Sequence, residues 1–66
     1  MNISKLRTEL ILLIYDAIRN ALKEDDTLPG NQKKYFVREF SDWEDTVHLL
    51  EEVLNQRNVE YERINW

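Results

Sequence analysis

The chain has no cysteine, one histidine, one glycine and one proline among its 66 residues. Without cysteine there is no disulfide and no thiolate nucleophile, and a single histidine cannot supply a zinc cage. One glycine excludes the glycine-rich loops that cradle phosphates. Long apolar runs are also absent: the longest, Leu10 to Tyr15, has six residues against the roughly 20 that a spanning helix needs. No basic-then-apolar leader opens the chain, and the ends at Met1 and Trp66 read as those of a complete small reading frame. These absences lead us to expect a soluble cytoplasmic protein with no cofactor and no membrane partner. Pro29 and Gly30 are adjacent, which makes one break and no linker, so residues 1–66 form a single small domain.

Positive charge is scarce. Thirteen acids against nine bases give a formal charge of −4, which argues against general affinity for nucleic acid. The distribution is uneven, because 31–38 carries Lys33, Lys34 and Arg38 with no acid, whereas 39–62 carries eight acids and one base, Arg57.

What is present is apolar periodicity. Ser41 stands three residues before Glu44, the spacing of a capping box, and Asp42, Glu44 and Asp45 suit the positive end of a helix dipole, with Arg57 at the other end. Trp43, Val47, Leu50 and Leu54 recur at 4, 3 and 4, one stripe of a half-buried helix over 41–57 widened by Leu49 and Val53. An earlier helix is expected from about Ile3 to Glu24, capped by Asn2 or Ser4. Its principal face reads as Ile3, Leu6, Leu10, Leu13, Ile14, Ala17 and Ala21. Its middle is apolar on consecutive positions, so Ile11, Leu12 and Tyr15 fall outside that stripe. A small domain buries only about 60% of its unfolded surface and has too few elements to cover such a helix all round, so we expect a homodimer that self-associates through Ile11, Leu12 and Tyr15.

Two architectures fit the remainder. Tyr35, Phe36, Val37 and Phe40 favour a strand feeding the Ser41 helix, and Val59 and Tyr61 alternate with Glu60 and Glu62 as a second strand would. Asn58 suits a left-handed exit from the helix. This gives an α+β domain, helix then strand-helix-strand, with its sheet edges paired across a dimer axis. The alternative runs Phe36 and Phe40 into the Trp43 stripe as one helix, making an all-α hairpin with helices over about 3–24 and 31–57 that dimerises to a four-helix bundle. The capping box favours the first.

Candidate chemistry is thin. His48 has Glu44 and Glu52 one turn away on either side, but a metal site would want a second histidine or a cysteine, and a solvated charged face accounts for the pattern. No carboxylate falls where burial would raise its pKa for acid catalysis, and no nucleophile-base pair accompanies the acids, so an enzyme is not expected. We expect a non-enzymatic interaction or regulatory module offering Glu44, Asp45, Glu51 and Glu52 to a basic protein partner. A nucleic-acid accessory using Lys33, Lys34, Tyr35 and Arg38, with a ring to stack on and cations for phosphates, is the second reading, and a structural assembly protein the third.

Overall fold

A computed structural model describes residues 3–66. A short 3-10 turn, Ile3–Lys5, precedes helix α1, Thr8–Asp26, and helix α2, Ser41–Gln56; no strand occurs among the described residues. The architecture is therefore a helical hairpin, all-α as in the alternative reading, and the α+β expectation is corrected. Its second helix begins at Ser41 rather than 31, leaving a fourteen-residue connection at 27–40.

The connection is a loop because its backbone donors are taken by a side chain. The carboxylate of Asp25 accepts hydrogen bonds from the N–H groups of Lys34 (3.2 Å), Tyr35 (3.1 Å) and Val37 (3.1 Å). Groups occupied in this way cannot join a ladder. Two turns complete the path: Gln32 N–H donates to the Pro29 carbonyl, and the Glu39 and Phe40 N–H groups both donate to the Phe36 carbonyl. Phe36 itself takes a left-handed conformation, φ 54°, as the chain wraps round the carboxylate. The tail after α2 also forms no strand. Asn58 leaves the helix at φ 56°, its N–H donating to the Asn55 carbonyl while Val59 N–H donates to that of Leu54. That paired pattern is a Schellman ending.

Capping differs from expectation at both helix starts. Phe40 is the N-cap of α2 and Arg7 that of α1, and neither offers a side-chain cap; Ser41 lies inside the helix, so the Ser41–Glu44 box is not formed. Asn2, one expected cap of α1, lies outside the described residues. Ser4 sits in the 3-10 turn, where its carbonyl receives Arg57 Nη2 at 2.9 Å, while Arg57 Nη1 donates to Thr8 Oγ1 at 3.0 Å. One guanidinium thus ties the start of α1 to the end of α2.

The core joins Ile11, Tyr15, Ile18, Ala21 and Leu22 of α1 to Val47, Leu50 and Leu54 of α2, with Val37 from the loop and Ile64 from the tail. The α2 stripe lies where its periodicity placed it. The α1 face does not: the buried row is 11, 15, 18, 22 and 25, while Leu10 and Leu13 point outward. Because the 3-10 turn breaks the helix before Thr8, Ile3 and Leu6 do not extend an α1 stripe, and the expected face is rotated. The molecule measures 38 × 21 × 16 Å with a radius of gyration of 12.5 Å, more elongated than the about 11 Å of a compact chain of this length.

Candidate functional site

Two buried acids, Asp25 and Glu51, fix the hairpin. Asp25 is only 1% exposed. Burial pushes its pKa upward, but the backbone N–H groups of Val37, Tyr35, Lys34 and Phe36 outweigh this and hold the carboxyl below its ordinary value. A general acid would require the opposite shift. Glu51 is nearly buried too, and accepts a 2.7 Å bond from the Tyr15 hydroxyl, whose oxygen in turn accepts from Ile64 N–H at 2.9 Å. Burial and the adjacent Glu51 carboxylate push the Tyr15 phenol up to about 12, so it remains a protonated donor rather than a nucleophile. These links join α1, α2 and the tail through one hydroxyl.

The expected acidic surface is thereby altered. Glu44, Asp45 and Glu52 are exposed on the outer side of α2, but Glu51 turns inward to Tyr15, with Arg63 Nε at 3.8 Å. His48 approaches Glu44 at 3.9 Å in the open, and among the described residues no cluster of three ligating side chains could hold a metal.

The basic-aromatic patch is paired internally. Lys33 bonds Glu39 at 2.9 Å and Lys34 bonds Glu24 at 2.6 Å. Arg38 forms two 3.0 Å bonds to Asp26, a bidentate fork that lowers the Asp26 pKa and raises that of Arg38. The ring of Tyr35 packs edge-on against Trp43 at 6.2 Å. A phosphate backbone would have to displace a carboxylate from every cation of the patch.

The two long grooves between the helices are unequal. Along one, the tail is laid down: Tyr61 packs edge-on against Tyr15 at 5.4 Å, the Arg19 guanidinium stacks over the Tyr15 ring at 5.2 Å and bonds the Glu62 carbonyl, and Tyr61 Oη donates to Asn55 Oδ1 at 3.1 Å. Ile64 closes it. The opposite groove has no such cover. Ile14 and Ile18 of α1 meet Asp42, Trp43 and Thr46 of α2 there, and a shallow depression of about 380 Å3 continues past Ala17 and Ala21 to Tyr35. Leu49 and Val53 lie seven residues, two turns, beyond Asp42 and Thr46 and so on the same side of α2. Leu10 and Leu13 line a separate depression on α1 with Lys5, Leu6, Arg7 and Glu9, and Leu13 (65% exposed), Leu49 (53%) and Leu10 (42%) are left largely uncovered.

Of the residues expected to self-associate, Ile11 and Tyr15 lie in the chain's own core at 0% and 1% exposure, and Leu12 is half-buried against it. The apolar excess is real but is carried by Leu10 and Leu13. Sequence reasoning missed Asp25 and the inward turn of Glu51. A signal existed for both: Asp25 continues the 11-15-18-22 row, and Glu51 lies one turn from Val47 on its inner side.

Among the described residues no helix is long and apolar enough to cross a membrane. Comparison with protein-family models, curated proteins and solved structures returns no match. Geometry alone carries the functional reading.

Proposed function

We propose that this chain is a non-enzymatic protein-interaction module that works as a homodimer, joined through the open groove between α1 and α2. The observation that carries the reading is the inequality of the grooves: the chain's own tail fills one, while the other, walled by Ile14, Ile18 and Trp43, is open, with Leu10, Leu13 and Leu49 exposed on the helix surfaces flanking it. A helix is about 10 Å across, so the 16 Å short axis accommodates one helix layer with the tail on one side of it. A second copy supplies the missing layer and makes a four-helix arrangement. Size supports this occupant. A stable interface needs roughly 800 Å² from each partner, which is about the extent of the 38 × 21 Å broad face.

In such a dimer Glu44 and Glu52 face away from the joint, on the outer side of α2, and remain accessible to a basic protein partner. Sedimentation equilibrium at tens of micromolar tests the reading. The wild-type chain is expected to run as a dimer, and Leu13→Glu with Leu49→Glu as a monomer of unchanged helicity by circular dichroism. A wild-type chain that is folded and monomeric at that concentration overturns it.

A further inference from the structure

The open face carries opposite charge at its two ends, and this specifies how two copies meet. Arg57 reaches Thr8 and Ser4, so the end of α2 lies beside the start of α1. At that end Lys5 and Arg7 adjoin Leu10 and Leu13, and neither has a carboxylate partner among the described residues. Arg57 adds a third cation there; Glu9 is the one acid that lines this part of the face. At the far end Asp42 borders the groove beside Trp43 and Thr46, with Asp45 three residues on. Among the described residues neither carboxylate is paired with a cation, and the lysines and Arg38 of the neighbouring loop are bound to Glu39, Glu24 and Asp26.

We infer that the homodimer is antiparallel about a two-fold axis passing between Leu13 and Leu49, with Lys5 and Arg7 of each protomer set against Asp42 and Asp45 of the other. The inference rests on the dimeric reading above and adds its geometry. The spacing agrees. Asp42 lies seven residues from Leu49, about 10 Å of helix rise, and Thr8, where α1 begins next to Arg7, lies five residues from Leu13, about 8 Å of rise to the other side. A two-fold axis at the leucines therefore brings the acidic end of one copy level with the basic end of the other, twice per dimer. A parallel pairing would stack like charge on like at both ends, which disfavours that register.

The absence of cysteine allows a direct test. Chains carrying Arg7→Cys and Asp42→Cys are mixed and treated with a short bis-maleimide, and each is also treated alone. Covalent dimers are expected from the mixture and not from either chain by itself. If Arg7→Cys alone cross-links as well as the mixture, the antiparallel arrangement is wrong while the dimer stands. Charge exchange gives an independent readout. Lys5→Glu with Arg7→Glu should weaken self-association about tenfold at low salt, and adding Asp42→Lys and Asp45→Lys in the same chain should restore it. A fourfold variant as weak as the twofold one also overturns the arrangement. A wild-type chain that stays monomeric in sedimentation removes the dimer itself, and this inference with it.

Discussion

At the scale of single residues, the hairpin depends on buried polar groups that have found partners rather than on reactive ones. Among the described residues no buried side-chain nitrogen or oxygen lacks a hydrogen bond, as expected where each unpaired group would be costly. Asp25 makes the pH dependence predictable. Its carboxyl is held below the ordinary 3.8, as is that of Asp26 beside Arg38. A lowered folded pKa contributes stability that is present above the unfolded value and is lost as pH falls through the folded one. Urea midpoints should therefore be level from neutral pH down to about pH 5 and fall steeply below pH 4. Asp25→Asn replaces one acceptor oxygen by a donor facing the same backbone N–H groups. We expect it to lower the midpoint at neutral pH and to flatten the acid limb, and a variant whose acid limb matches the wild type would show that Asp25 is not the responsible group.

At the scale of elements, what was legible in the sequence divides along physical lines. Helix α2 could be placed to within a residue or two because its stripe at 43, 47, 50 and 54 is strict and uninterrupted, although the cap inferred from Ser41 and Glu44 is not made. Helix α1 could be recognised but not oriented, since a run of six apolar residues contains two plausible faces and only the break at Arg7 decides between them. The loop was misread because aromatic and β-branched residues signal burial rather than strand as such. Val37 is buried in a turn, and the donor groups that a strand would need are consumed by Asp25, an acid nine to twelve residues earlier at the end of α1. The exposed apolar surface was legible as an excess and not as particular leucines. Asn58 was read correctly, and its role yields a measurable consequence. With φ 56° it occupies a region that costs a residue with an ordinary side chain about 1 kcal/mol. Asn58→Ala should therefore lose about 1 kcal/mol in urea denaturation and Asn58→Gly little or nothing. Equal losses for the two would mean that the Asn58 side chain, not its backbone, matters.

At the scale of the whole molecule, the proposed dimer makes stability and association one quantity. Among the described residues the core has ten buried apolar side chains in which one helix pair does most of the packing, and the broad face stays wet unless a second copy covers it. Folding of a dimer from unfolded monomers responds to concentration by mass action, about 1.4 kcal/mol of dimer for each tenfold increase. Shared between two protomers of this size, that is a rise of roughly 3–5 °C in Tm per decade. The wild-type chain should show this slope between micromolar and hundred-micromolar concentration, whereas Leu13→Glu should melt at one temperature throughout. The comparison isolates the groove, because Leu13 lies outside the core and its substitution leaves Ile11, Tyr15 and Ile18 packed as before. A wild-type Tm that does not move over two decades would mean that the hairpin folds alone, and that the bare leucines of α1 and α2 hold no second copy of the chain.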